Sequence, residues 1–242
     1  MRSTFFLRIY GVLILCLSLC RVDAQQVVGP EYLYEIGGMV GGAFYMGDAN
    51  RTRLFQSVNP AVEATFRYNA NFRVALKANL VWARVTGTTA GMENVFPDHA
   101  QVSFDRNVFD LGGQAEFNFF PYSDLFKHLH TKRITPYIAV GAGIAASPGG
   151  GDLMFSPYVS LSTGFKYKLK HRINIGAEWS VRKLFSDRLD VSGSNALLDS
   201  PYKIESSLVK NKDWYSMLMI AVTYDFGLRN CNCNRKDMNG IY

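Results

Sequence analysis

A chain of 242 residues suits one domain with a sizeable core or a single closed barrel. Its formal net charge of +6 is spread along the chain without a basic stripe interleaved with aromatics, which argues against nucleic-acid binding. Only Cys231 and Cys233 lie beyond the first 24 residues, so no disulfide framework holds the chain together and stability must come from the fold itself.

The first element is a signal sequence. Arg2 and Arg8 precede an apolar run from Ile9 to Leu19 that ends in Val22-Asp23-Ala24. A positive start, a short apolar stretch and a small residue at the cut predict a cleaved signal peptide over residues 1–24, with Gln25 as the first mature residue. The run is too short for a spanning helix. Leu19 stands before Cys20 where a lipoprotein signal needs a small residue. Loss of Arg2, Arg8, Arg21 and Asp23 leaves 23 basic and 19 acidic residues, a net charge of +4.

Beyond the signal no segment offers ~20 uninterrupted apolar residues. Period-two alternation recurs instead, in segments bounded by polar or Gly/Pro-rich stretches, and predicts eight strands. They fall near residues 34–46, 58–68, 72–85, 104–119, 136–146, 156–168, 172–184 and 213–227. In the second, Val62, Ala64, Phe66 and Tyr68 share one face and Glu63, Thr65, Arg67 and Asn69 the other. In the third, Phe72, Val74, Leu76, Ala78, Leu80 and Trp82 oppose Arg73, Lys77 and Asn79. The seventh sets Ile173, Ile175, Ala177, Trp179 and Val181 against Arg172, Asn174, Glu178 and Arg182. The eighth sets Trp214, Leu218, Ile220, Val222, Tyr224 and Phe226 against Tyr215, Met217, Met219, Thr223 and Asp225. The fifth, TPYIAVGAGIAA, is small or apolar at both parities and its facing stays open.

Alternation alone suits a soluble barrel as well as a membrane one. Two features favour the inside-out arrangement. Trp82, Trp179 and Trp214 all lie on the apolar parity and are assigned to the outer-surface ends of their strands, while Tyr34, Tyr68, Phe72, Tyr167 and Phe226 form a lower aromatic girdle. From Phe72 to Trp82 the strand covers about 25 Å of membrane normal, the height of an apolar band. The connections also alternate in length. Asn69-Ala70-Asn71 and about three residues around Lys170 are tight turns, whereas residues 47–57, 86–101, 147–155 and 185–212 are long loops. Residues 121–135, PYSDLFKHLHTKRIT, break this rule on the short-turn side, with Phe126 and Leu129 at helical spacing. The expectation is an amphipathic segment packed under the barrel, or a docking surface.

An eight-stranded barrel is just wide enough to be filled by its own side chains. Glu63, Arg67, Lys77, Glu116, Lys166, Glu178 and Arg182 supply both signs on the polar parity and are expected to form a closed interior ion network. Catalysis finds little support. His99, Ser103 and Asp105 are the only rim set near a nucleophile–base–orienter pattern. His128 and His130, two residues apart, do not make a metal pair. Gly37-Gly38, Gly41-Gly42, Gly141 and Gly143 lack the lysine and helix of a phosphate loop. No cofactor is expected.

Taken in order, YEIGGMVGGAFYMGDAN, FRYNANFRVALKANLVWARVTG, FDRNVFDLGGQAEFNFFPY, ITPYIAVGAGI, GFKYKLKHRINIGAEWSVRKLFSDRLDVSG and DWYSMLMIAVTYDFG resemble the PorG family, the outer-membrane barrel subunits of the type IX secretion system of Bacteroidetes. Ser186-Asp187-Arg188-Leu189-Asp190 departs from the family's usual threonine-aspartate-tyrosine-leucine-aspartate. The resemblance implies an OmpA-like, eight-stranded antiparallel transmembrane β-barrel over residues 25–227, in the outer membrane with both termini periplasmic. It also implies a non-enzymatic role, tying a periplasmic ring of PorK-like lipoprotein and PorN-like protein to that membrane. Candidate contacts are residues 121–135 and a periplasmic tail, residues 228–242. In that tail a bond between Cys231 and Cys233 would close a very small, strained ring. An intermolecular disulfide to a ring subunit is preferred, with the local bond or a metal-ligand pair as alternatives. Other expectations for the whole chain are an OmpX-like surface barrel that binds host or matrix ligands through its loops, or a lipid-modifying enzyme dependent on His99.

Overall fold

The structure, a computed structural model, describes residues 29–46, 58–88, 103–124, 130–148, 154–170, 172–185 and 214–229. Eight antiparallel strands close into one barrel: β1 (Tyr32–Met46), β2 (Asn59–Asn69), β3 (Val74–Thr88), β4 (Ser103–Asn118), β5 (Ile134–Ser147), β6 (Met154–Lys170), β7 (Ile173–Leu184) and β8 (Trp214–Leu228). Each strand pairs with its neighbour in sequence, and β8 returns to β1 through a ladder from Tyr32↔Leu228 to Met46↔Trp214. Closure leaves no strand edge, so the backbone's polar groups are satisfied within the sheet, the condition for spanning lipid with strands. The eight expected segments coincide with these strands within a few residues. β8 runs one residue past the expected end of the barrel, to Leu228.

Parity decides what each face meets. In β2 the even positions Val62, Phe66 and Tyr68 are exposed, while Glu63, Thr65 and Arg67 are buried. The same division holds around the wall: Leu76, Leu80, Leu111, Val140, Leu161, Ile175, Ile220 and Val222 face out. A surface this apolar around a charged interior is the reverse of a soluble barrel and defines a transmembrane one. The register also explains why strands cannot slip. A one-residue shift would send Glu63, Arg67, Lys77 and Glu178 to the lipid face, where a charge at mid-depth costs about 2–4 kcal/mol.

β5, unoriented in the sequence, is settled by its neighbours. Ile134, Ile138, Val140 and Ile144 face out, and Thr135, Tyr137, Ala139 and Ala145 face in. Gly143 is needed there: a Cβ would stand 2.6 Å from the Tyr158 hydroxyl, and one on the paired Gly112 would stand 2.2 Å from it. Two inward positions are left empty so that one large ring can cross the lumen.

The aromatic girdle is partly as expected. Tyr34 packs against Tyr68 and Phe226 at ring-centre separations of 5.8 and 5.5 Å, with Phe66 at 5.7 Å. Tyr167 faces out opposite Ile134, and Phe72 is half-buried in the β2–β3 turn. Trp214 stands at the far end of β8 and Trp82 in the far half of β3, opposite Phe109. Trp179 departs from expectation. It sits midway along β7, opposite Thr163 and Leu218, and belongs to the apolar band rather than to its rim. Above Trp82 the outward positions turn polar, with an exposed Arg84–Asp105 pair marking where the band ends.

The signal segment 1–24, Phe126, Leu129, His99, His128, His171, Cys231 and Cys233 lie outside the described residues.

Candidate functional site

The chemistry-bearing residues converge on the lumen and on the mouth at the end where β1 begins and β8 ends, called here the terminal end. All seven residues of the expected network point inward and are buried. Arg67 bridges two strands' carboxylates, donating from Nε to Glu116 at 2.9 Å and from Nη1 to Glu35. Glu116 also receives Lys166. Lys77 donates to both carboxylate oxygens of Glu178 at 2.7 Å, and the Tyr137 hydroxyl donates to Glu178 at 2.6 Å. Arg182 pairs with Asp110 at 3.2 Å, whose carboxylate also accepts the hydroxyls of Tyr215 at 2.5 Å and Tyr158 at 3.2 Å. Turned to fit its neighbours, the Asn79 amide oxygen accepts from Arg182 at 2.9 Å and its nitrogen donates to the Gly112 carbonyl.

Glu63 is the loosest member. It lies 3.5 Å from Lys77 and from Arg182, and neither oxygen accepts a hydrogen bond among the described residues. The gap is held by charge, not by hydrogen bonding.

Several members were not singled out in the sequence. Glu35, Asp110, Lys168 and Asp225 complete the network, with Lys168 paired to Asp225 and Asn174 donating to Asp225 at 2.8 Å. Their signal was the parity already in use: Glu35 shares a face with Gly37 and Met39, and Asp225 with Thr223. With them, and with Arg106 nearer the loop end, the buried charges on the strands come to six acidic, Glu35, Glu63, Asp110, Glu116, Glu178 and Asp225, against six basic, Arg67, Lys77, Arg106, Lys166, Lys168 and Arg182, while Asp124, buried in the β4–β5 connection, pairs with Arg133. Balance matters because an unpaired charge in such a space would cost several kcal/mol.

Two expected inward charges are not there. Arg73 and Arg172 are exposed at the terminal end, in the turns before β3 and β7. Parity fails for them because it holds only while the backbone stays extended, and both lie outside the strands. Arg73 donates to the Phe119 carbonyl at 2.6 Å. Arg172 lies over the Tyr32 ring at 5.3 Å and donates to the hydroxyls of Tyr224 at 3.0 Å and Tyr32 at 3.2 Å. Those hydrogen bonds, Tyr224 first, raise its pKa further, so it stays charged at every accessible pH.

The lumen is not ionic throughout. Toward the loop end it is filled by Ala43, Tyr45, Ala61, Ala83, Val85, Val108, Ala145, Leu184, Tyr215 and Met217, a packed apolar cluster. The expected ion network therefore occupies the terminal half and middle of the barrel, and the rest is mainly an apolar cluster, with Arg106 buried opposite Val85.

The terminal mouth is closed by the β4–β5 connection. Tyr122 is buried beneath the network, its hydroxyl donating to Asn174 at 3.0 Å and its ring 5.2 Å from both Lys166 and Lys168. Its backbone N–H donates to the Phe72 carbonyl, and a short parallel bridge to Lys132 holds the connection across the mouth. Burial pushes the Tyr122 phenol well above its ordinary range, so the hydroxyl remains a donor wherever the barrel is folded and adds no pH dependence below that range. A small polar pocket remains beside it, bordered by Glu31, Asn71, Asn118, Asp124, Lys168 and Asp225. Arg229 follows β8 and donates to the carbonyls of Asn69 and Ala70 at 2.8 and 3.0 Å, fastening the chain past β8 to the β2–β3 turn.

Among the described residues neither the chemistry of catalysis nor that of metal binding is assembled. Asp105, the proposed orienting group of a rim set, points outward and is spent on Arg84. Among the described residues no three His, Cys, Asp or Glu side chains cluster in a way that would hold a metal.

Fold and interior together define a small, sealed transmembrane β-barrel. Residues 8–146 and 154–235 match the family described as a domain of unknown function, DUF6089, and the chain belongs to that family. Comparison with curated protein sequences finds no match. Among solved structures the chain is similar to Neisserial surface protein A, at 13% identity over 80% of this chain and 97% of that one, with a TM-score of 0.47. It is also similar to Ail of Yersinia pestis, crystallised with the heparin analogue sucrose octasulfate, at 11% identity over 80% and 99% with a TM-score of 0.43. The outer membrane protein OprG of Pseudomonas aeruginosa matches at 12% identity over 82% and 98%, with a TM-score of 0.42.

Proposed function

We propose that the chain is a non-enzymatic barrel subunit of a type IX secretion system, of the PorG kind, resident in the outer membrane with its terminal end in the periplasm. There it anchors a ring of PorK-like and PorN-like proteins. The observation that carries the anchoring role is the sealed lumen. A barrel whose interior is filled by ion pairs at one end, by a mainly apolar core at the other and by Tyr122 across its mouth leaves no open path for solute among the described residues. What such a barrel can offer is its surface. The order of motifs from YEIGGMVGGAFYMGDAN to DWYSMLMIAVTYDFG supports the type IX assignment, and an apolar wall of closed strands requires a membrane of the kind that houses barrels.

The contact surface is assigned to the connection between β4 and β5, with Phe126 and Leu129, and to the tail that begins after Arg229. In this reading Cys231 and Cys233, in that tail, form a disulfide with a ring subunit in an oxidising compartment. Capture of the full chain from membranes under oxidising conditions, followed by identification of the cross-linked partner, tests this reading. Ring proteins released by reductant, and lost in a chain lacking residues 230–242 that still inserts, are the expected result. Recovery of the chain as a monomer with and without reductant, with ring assembly unaffected by the truncation, would overturn it. The truncation begins at residue 230 because Leu228 and Arg229 belong to the barrel's closure.

A further inference from the structure

The two ends of the barrel differ in charge. The connections at the terminal end, residues 70–73, 119–133 and 171–172, carry Arg73, Lys127, Lys132, Arg133 and Arg172 against the single carboxylate Asp124. The loops at the other end, residues 47–58, 89–102, 148–153 and 185–213, carry more acidic than basic residues: Asp48, Glu93, Asp98, Asp152, Asp187, Asp190, Asp199, Glu205 and Asp213 against Arg51, Arg53, Arg188, Lys203, Lys210 and Lys212. Mobile-ion screening weakens such fields at a distance but not at contact.

Where the terminal cations stand narrows what they meet. Arg73, Lys132, Lys170 and Arg172 are exposed, and none has a carboxylate within ion-pair distance among the described residues. Arg73, Lys132 and Arg172 are held against the outer wall. Arg172 bridges to Tyr224, a lipid-facing residue of β8. Lys132 sits 4.0 Å over the ring of Phe120, and Arg73 is fixed to the carbonyl of Phe119, both residues being exposed at the foot of the apolar band. Lys170 follows the exposed Leu169. This is the depth of the aromatic girdle, where side chains with an apolar stem and a polar tip meet headgroups. The hydrogen bonds that hold Arg73 and Arg172 leave guanidinium N–H groups over, in the planar arrangement that suits phosphate oxygens.

We propose that this rim is a binding belt for anionic phospholipid headgroups, in which Arg73, Lys132, Lys170 and Arg172 engage phosphate oxygens of the leaflet on the terminal side. The belt sets the depth of the barrel and keeps anionic lipid around the surface assigned to partner docking. An acidic protein face would need cations turned toward the mouth, whereas Arg73, Lys132 and Arg172 are held beside lipid-facing aromatics and Lys170 stands exposed at the end of β6.

The test uses the full mature chain in mixed micelles holding equal amounts of phosphatidylglycerol and phosphatidylcholine, with retained lipid counted by native mass spectrometry. The wild-type chain should retain phosphatidylglycerol over phosphatidylcholine by about tenfold, a preference that falls as salt rises. The variant R73Q/K132Q/K170Q/R172Q should lose it, and the two half-variants R73Q/K132Q and K170Q/R172Q should each lose part, which keeps the test decisive if the fourfold change prevents insertion. Arg84→Gln at the opposite rim should leave it intact. No lipid preference in the wild-type chain, or one that survives both half-variants, overturns the proposal. So does full competition by inorganic phosphate at physiological concentration, which would mark a free-anion site, or capture of an acidic protein by these cations without lipid preference.

Discussion

The lumen of this barrel is filled in two different ways. Toward the terminal end, side chains such as Arg67, Glu116, Lys77 and Glu178 occupy the space as paired charges. Toward the loop end, Leu184, Val85, Met217 and Ala83 occupy it as a mainly apolar core. Both fillings seal the barrel, but they differ in what they tolerate. An apolar core stabilises by area removed from water and adapts to modest changes in shape. A buried ion network gains little net stability over apolar side chains of the same volume, yet losing one partner strands the other. The ionic half is therefore the brittle half, and it lies next to the end proposed to work.

That contrast can be broken most sharply at Arg67. Replacing it with methionine leaves Glu35 and Glu116 without their shared partner, and the unfolding free energy in detergent should fall by about 3–5 kcal/mol. An unchanged denaturation midpoint would mean that water already solvates these carboxylates. In the apolar half, Leu184→Ala removes a fully buried side chain and should cost about 2–4 kcal/mol by equilibrium unfolding, as a cavity that stays dry. Overpacking is next. Gly143→Val would force the Tyr158 ring aside at the junction of the halves and should cost about 1–3 kcal/mol, measured as earlier loss of heat-modifiable mobility on gels. Arg84→Gln on the exterior loop rim should leave the midpoint unmoved, because that pair is exposed. If it matched the Arg67 change, position inside the lumen would not be what matters.

The strands and the inward charges were legible in the sequence where polarity contrasts are strong. In β2, β3, β7 and β8 charged and apolar residues alternate, so strand, face and register follow from one pattern. Legibility fails where both faces are apolar. In β5, small or apolar at both parities, the facing could be read only through its neighbours. It also fails where the chain leaves the strand: parity put Arg73 and Arg172 inside, and the turns put them outside. Tyr122 had no local signal at all. Its place across the mouth comes from contacts with Phe72, Asn174 and Lys132, all distant in sequence or held by the fold.

The sealed interior is the premise on which the anchoring role and the surface assignments rest, and ion conductance tests it most directly. Purified chain reconstituted into planar bilayers under an applied potential should give current no different from protein-free lipid, in the wild type and in Leu184→Ala. Stable, stepwise openings in the wild-type chain would contradict the account, because they would require a continuous water path through the ion network and past Tyr122.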